Sequence, residues 1–270
     1  MTLEEATRRL AEVGVDNPRT DARLLLAHVL GISRDQTLTA TPAPEQSAQF
    51  AALVARRAGR EPFAYITGRK EFWSLNLDVG PGVLIPRPDT ETLIEEALRI
   101  VPDRNALLRI ADLGAGSGAI LIAALKEFPN ATGVGFEFSQ AAYAYAHANA
   151  ARLIGARAEI RQSPWQEAEG PFDLIFCNPP YIPSGEIESL EPDVVRFEPR
   201  QALDGGPDGL AAFSGLAELL PGLLKPGGHS LLEIGRGQES TVGSLFKGLE
   251  LLRIVPDLAG IPRCVILRKP

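Results

Sequence analysis

The chain has 270 residues, 45% hydrophobic and 23% charged, proportions that fit a globular domain or two and exclude a wholly disordered or fibrous chain. Its net charge of −7, with the negative excess lying beyond residue 60, repels a phosphate backbone over most of the surface, so no stable nucleic-acid binding is expected. Cys177 and Cys264 lack Cys-x-x-Cys spacing, so neither a disulfide framework nor a metal site is expected, and no stretch reads as a signal peptide or membrane span; a cytoplasmic protein is expected.

In chain order, Leu and Ala recur at helical spacing over residues 2–13 (Leu3, Ala6, Leu10, Val13) and again over 20–30, with Asn17-Pro18 breaking the pattern between them. A third helix is expected over 45–59, with Phe50, Leu53 and Val54 inward. Arg56, Arg57 and Arg60 form the one close basic cluster and read as a solvated helix end. Residues 1–68 are thus expected to be a small helical domain. From Phe72 the pattern alternates, with Leu75, Leu77 and Val79 opposite Asn76 and Asp78, then Pro81-Gly82 and the run Val83-Leu84-Ile85; this predicts a β-hairpin linker within 69–89. Over 90–270, strands are expected at 108–113, 132–138, 157–162, 172–177, 229–234, 251–255 and 263–268, separated largely by helical segments. That alternation predicts an α/β, Rossmann-like domain with a seven-stranded, mostly parallel sheet. The Pro-, Gly- and acid-rich segment 183–208 is long for a connection, and long irregular loops are usually functional.

The run Asp112-Leu113-Gly114-Ala115-Gly116-Ser117-Gly118 follows a strand signal and opens a helix. Glycines at alternate positions let the backbone turn tightly and approach a ligand, so Gly114, Ala115, Gly116 and Gly118 are expected to bind a cofactor. Glu137 ends the next strand, where a carboxylate accepts hydrogen bonds from ribose hydroxyls. The glycines fit a dinucleotide as well as S-adenosylmethionine; Asp112, expected at the cleft floor, favours a cationic amino-acid moiety and hence S-adenosylmethionine.

The apolar run ending in Cys177 reads as a central strand with Asn178-Pro179-Pro180-Tyr181 at its carboxyl end, which in open α/β sheets faces the ligand crevice. Two prolines remove two backbone donors and fix φ. The Asn178 side-chain oxygen and the Pro179 carbonyl are then expected to accept both hydrogens of an NH₂ group, with Pro180 stiffening the turn and Tyr181 stacking on the planar group. An amide nitrogen is a poor nucleophile, so orientation and exclusion of water are expected to replace a strong base. Asn178, Pro179 and Tyr181 are the catalytic candidates. His28, His147 and His229 read as packing or capping residues, and Cys177 as a buried strand residue. Two other readings fit parts of the pattern: an adenine-N6 nucleic-acid methyltransferase, whose exocyclic amine presents the same two hydrogens, and a non-catalytic nucleotide-binding module. A dehydrogenase fits the glycines but leaves the Pro-Pro turn unexplained.

The chain resembles the HemK/PrmC family, the peptide chain release factor glutamine methyltransferases. The resemblance runs through Tyr65-Ile66-x-Gly68, Leu84-Ile85-Pro86-Arg87-Pro88-Asp89-Thr90-Glu91, the glycine loop, Asn178-Pro179-Pro180-Tyr181-Ile182, Arg196-Phe197-Glu198-Pro199, Ala202-Leu203-Asp204-Gly205-Gly206-x-Asp208-Gly209, Leu232-Glu233-Ile234-Gly235-x-x-Gln238 and Asp257-Leu258-Ala259-Gly260. It implies a five-helix domain that docks the protein substrate, a catalytic domain binding S-adenosylmethionine, and methylation of the glutamine N5 of the Gly-Gly-Gln motif in class I release factors. It also implies Gly114, Gly116, Glu137 and Trp165 as cofactor contacts and Asn178 as the group orienting the substrate amide. Where that family often carries Asp before Trp, this chain has Pro164, which offers the adenine neither carboxylate nor N–H. Arg87 has two expected roles, a partner for the cofactor carboxylate or a brace for the hairpin.

Overall fold

The computed structural model describes residues 1–270 and divides them into two compact units: Met1–Arg69 with Glu191–Phe197, and Lys70–Leu190 with Glu198–Pro270. In the first unit, Thr2 and Glu5 form a reciprocal capping box that starts helix α1 (Leu3–Glu12). Pro18 begins α2 (Pro18–Leu30), which Gly31 ends in the left-handed conformation; Pro44 begins α3 (Pro44–Ala58), and α4 (Phe63–Thr67) follows. Ala6, Leu10, Leu25, Phe50, Val54 and Ile66 form their shared core. Residues 1–69 form four α-helices and a 3-10 turn, Asp35–Leu38, where the resemblance implied five helices, and the fifth α-helix of the unit is the short Pro192–Phe197; Val13 lies outside the core at 42% exposure.

The basic cluster is not a solvated helix end. Arg57 is buried, donating to Asp21 at 2.8 Å and to Asp193 at 2.7 Å; Arg60 also pairs with Asp193, and Arg56 with Glu61. Asp193 sits in the short helix Pro192–Phe197 of the same unit. These carboxylates neutralise the cations that a phosphate backbone would need.

The second unit opens with the hairpin of β1 (Arg69–Phe72) and β2 (Leu75–Asp78). Its turn is Trp73-Ser74, both at positive φ, and not Pro81-Gly82 as the alternation suggested; Val83–Ile85 is not a strand. The unusual turn is pinned from three sides: Trp73 N–H donates to Glu91, its indole N–H to Glu127, and Ser74 N–H to Glu71, each at 2.7 Å. After α5 (Glu91–Ile100) come β3 (Arg109–Leu113), α6 (Ala119–Glu127), β4 (Thr132–Phe136), α7 (Gln140–Leu153), β5 (Ala158–Arg161), β6 (Phe172–Cys177), β7 (Leu224–Glu233), β8 (Glu250–Pro256) and β9 (Pro262–Arg268).

The seven strands lie in the order β5-β4-β3-β6-β7-β9-β8, parallel except for β9, which runs antiparallel to both neighbours. Alternate strand residues serve two cores. Ile110, Leu174, Phe176 and Leu231 face α5, α6 and α7, while Leu113, Ile175, Leu232 and Val265 face helices Ala211–Leu223 and Glu239–Leu245. No helix is long and apolar enough to cross a membrane.

Candidate functional site

A cavity of about 390 Å³ opens at the carboxyl ends of the central strands, within the range of small-molecule sites, roughly 300–1,000 Å³. Gly114, Gly116, Glu137, Trp165, Asn178 and Pro180 line it together. Sheet register produces this convergence. Asp112 pairs with Gly135 on one side and Phe176 on the other, so the chain leaves β3 at Gly114, β4 at Glu137 and β6 at Asn178 side by side.

The glycine loop is built for close approach. Gly114 and Gly116 have φ of 84° and 57°, and both Gly114 and Ala115 donate their N–H groups to Phe136 O at 2.9 Å. A Cβ on Gly114 would come within 3.1 Å of the Trp165 ring, which lies against the loop. Glu137 accepts from Gly116 N–H at 2.8 Å and Ser139 N–H at 2.7 Å, and burial raises its pKa against the pull of those donors. A partly desolvated carboxylate beside a glycine cradle offers the acceptor that ribose hydroxyls donate to, so the residues fit S-adenosylmethionine.

Three of the expected cofactor residues lie behind the cavity and do not line it. Asp112 is fully buried; its Oδ2 accepts from Leu121 N–H at 3.2 Å, while Oδ1 has no partner. Burial pushes its pKa up to about 7, with the Leu121 donor lowering it and Glu137 raising it. Gly118 starts α6 without a side chain to cap it, so Asp112 supplies the acceptor from β3. Gly118 itself is needed for packing, since a Cβ there meets Ile122 at 3.0 Å. Ala115 is buried through its bonds to β4.

At the tetrapeptide, Asn178 donates through Nδ2 to Thr90 Oγ1 at 3.3 Å. Pro179 is buried and does not line the cavity. Tyr181 turns away from it: its hydroxyl donates to Glu233 at 3.1 Å, its ring packs against the second core, and its carbonyl accepts from Gln238 Nε2 at 3.0 Å. The phenol is too well occupied to stack on a substrate in the cavity, and burial beside Glu233 raises its pKa further. Cys177 donates its thiol to Leu113 O at 2.9 Å, and desolvation raises its pKa far above the ordinary value, which leaves it inert. None of the three histidines reaches the cavity.

Several wall residues were not among the expected site residues, although most stand in segments the sequence had marked. Gly82 and Leu84 come from the segment after the hairpin, Phe138 from the turn after β4, and Pro199, Gln201 and Ala202 from the long 183–208 loop. Arg87 proves to be a brace. It pairs with the buried Glu198, which also accepts from Ile85 N–H at 3.0 Å and so joins two walls of the cavity.

Comparison with known proteins sharpens what this geometry means. Residues 2–68 match the family described as the PrmC N-terminal domain, and residues 104–241 one described as a methyltransferase domain. A release factor glutamine methyltransferase from Rhodospirillum rubrum is 44% identical over 99% of this chain and 84% of its own length. Another, from Caulobacter vibrioides, is 45% identical over 97% of this chain and 93% of its own. The chain belongs to the release factor glutamine methyltransferase family. It is an enzyme with the S-adenosylmethionine-dependent methyltransferase fold. A solved methyltransferase from Pyrococcus furiosus shares that fold at 18% identity, with a TM-score of 0.53 over 80% of this chain and 96% of that one.

Proposed function

We propose that this enzyme methylates the side-chain amide nitrogen of the glutamine in the Gly-Gly-Gln motif of class I release factors, with the helical unit docking the protein substrate. The observation that carries this reading is that Asn178 shares one cavity with Gly114, Gly116 and Glu137. Bound there, S-adenosylmethionine supplies an electrophilic methyl group on sulfur.

The chain's own residues do the rest. Gly114, Gly116 and Glu137 hold the cofactor, and Trp165 packs against the loop that cradles it. Asn178 accepts an N–H of the glutamine amide through Oδ1, since Nδ2 is already engaged by Thr90. Pro179 and Pro180 bring no competing N–H to the turn. Leu84, Phe136, Pro199 and Ala202 give the cavity apolar walls that exclude water and strengthen the oriented hydrogen bond. The N-methylated amide sheds its extra proton readily, so no strong base is required. Neutralisation of Arg56, Arg57 and Arg60 by neighbouring carboxylates weighs against a nucleic-acid substrate.

The test is transfer of labelled methyl from S-adenosylmethionine to a purified class I release factor. Signal is expected with the native substrate and enzyme, and loss of about 10²-fold or more with either a Gln-to-Ala substrate or Asn178→Ala enzyme. Equal labelling of the Gln-to-Ala substrate refutes the assignment.

A further inference from the structure

An asparagine amide has two ends of one shape and opposite chemistry, and half a turn about χ2 exchanges acceptor for donor. The reading above, on which this inference rests, requires Oδ1 of Asn178 to face the cavity; an Nδ2 there would oppose the substrate's own N–H groups. Something in the protein must fix that choice. We propose that Thr90 is the positioning residue that does so, held in turn by the buried carboxylate of Glu233.

The direction of the hydrogen bonds follows from proton bookkeeping. Thr90 is 4% exposed and lies at the start of α5, with its Oγ1 3.3 Å from Asn178 Nδ2. A hydroxyl has one proton, and its oxygen accepts freely only when that proton points elsewhere. Glu233, 2% exposed, ends β7 beside Asn178, because Cys177 pairs with Leu232 in the sheet. Its Oε1 receives the Tyr181 hydroxyl at 3.1 Å, and its Oε2 has no partner in full hydrogen-bond geometry. Burial raises the Glu233 pKa above the ordinary carboxylate value, against the pull of the neighbouring Thr90 hydroxyl, Arg263 and the Tyr181 hydroxyl. Arg263 and Asp89 are the other charged groups facing that carboxylate, with the Cys177 and Cys264 thiols behind it.

The Tyr181 hydroxyl already donates to Oε1, so the unpartnered, buried Oε2 is the acceptor left for the Thr90 hydroxyl proton. Thr90 Oγ1 then presents only lone pairs to Asn178, which turns Nδ2 inward and Oδ1 outward. One carboxylate thus governs both ends of the Asn-Pro-Pro-Tyr turn, Asn178 through Thr90 and Tyr181 directly.

The experiment uses the full-length enzyme with a purified class I release factor. Thr90→Val removes the hydroxyl at nearly constant shape, Thr90→Ala removes it with less bulk in case the valine packs badly, and Thr90→Ser restores it. We expect roughly a tenfold fall in kcat/KM for the Val and Ala forms, with S-adenosylhomocysteine affinity and melting temperature close to wild type, and recovery to within about threefold for Ser. The Thr90→Val/Asn178→Ala double variant is expected to be no worse than Asn178→Ala alone, because Thr90 acts through Asn178. Binding gives an independent readout. An outward Nδ2 donates to a carboxylate, so the affinity for a Gln-to-Glu release factor relative to the native one should rise about tenfold in Thr90→Val.

Unchanged kcat/KM in Thr90→Val, an equal fall in Thr90→Ser, or an unmoved Glu-to-Gln affinity ratio each overturns the proposal. If Asn178→Ala itself retains full activity, the failure belongs to the functional assignment of Asn178. Loss with Asn178→Ala but not with Thr90→Val places the failure on Thr90 alone.

Discussion

Asp112→Asn separates a structural carboxylate from a cofactor ligand. In the folded chain the Asp112 carboxyl is fully buried and its pKa is pushed from 3.8 to about 7, chiefly by desolvation. The folded state therefore holds a proton that the unfolded chain releases above its own pKa. The linked stability is fully present below pH 3.8 and is lost as pH rises through about 7. At about 1.4 kcal/mol per unit, the loss approaches ~4 kcal/mol above pH 8, and about 2.5 kcal/mol of it falls between pH 5 and pH 8. Asparagine keeps an acceptor for the Leu121 N–H and carries no charge. Urea denaturation of both proteins at pH 5 and pH 8 should thus show the variant gaining about 2.5 kcal/mol on wild type across that interval. S-adenosylhomocysteine affinity, measured by calorimetry, should change by only a few fold, since Asp112 does not line the cavity. Parallel stability curves for the two proteins, or a cofactor affinity loss of a hundredfold, would refute this account and return Asp112 to the cofactor.

Glu137→Ala removes the only cavity-lining carboxylate and should weaken S-adenosylhomocysteine at least tenfold by titration calorimetry; unchanged affinity would displace the ribose from β4. Gly118→Ala forces a side chain into φ of 82° and against Ile122, so it should cost about 1–3 kcal/mol and lower the melting temperature by several degrees, while barely altering KM. Glu198→Ala leaves Arg87 and the Ile85 N–H without their acceptor, and should raise KM for the release factor more than it lowers the melting temperature; the reverse order would make the pair purely structural. Pro164→Asp places a carboxylate on the cavity wall where the family often has one, and should tighten S-adenosylhomocysteine several fold; no change would move the adenine elsewhere.

The sheet was legible because its signals are local. Each strand of the Rossmann-like unit is an apolar run bounded by turn residues, and all seven fall where those runs predict. The hairpin was legible but its turn was misplaced, because the turn uses Trp73 and Ser74 at positive φ, a conformation that their side chains disfavour and that Glu71 within the hairpin and Glu91 and Glu127 from further along the chain hold in place. Tyr181 and Asp112 do not line the cavity for a related reason. A motif tells which residue types stand at a strand end, but the side to which each points depends on its partners, Glu233 fifty-two residues away for Tyr181 and the Leu121 N–H in the first turn of the following helix for Asp112. The arginine cluster looked solvated because Asp193, its main partner, lies over 130 residues further along the chain.

Sheet register explains why the two halves of the site meet at all. Neighbouring strands lie about 4.8 Å apart, and β3 and β6 are neighbours with Asp112 opposite Phe176. Two residues on, Gly114 and Asn178 leave the sheet together, which sets the glycine loop and the Asn-Pro-Pro-Tyr turn one strand spacing apart without any long-range fitting. On the far side of β6, β7 is in register so that Glu233 comes up behind Asn178. A one-residue slip of either strand would reverse the faces of Asn178 or Glu233 and separate the two. The chemistry therefore depends on two ladder registers more than on any single side chain, and the apolar alternation of β3, β6 and β7 that packs the two cores is the same pattern that aligns the site.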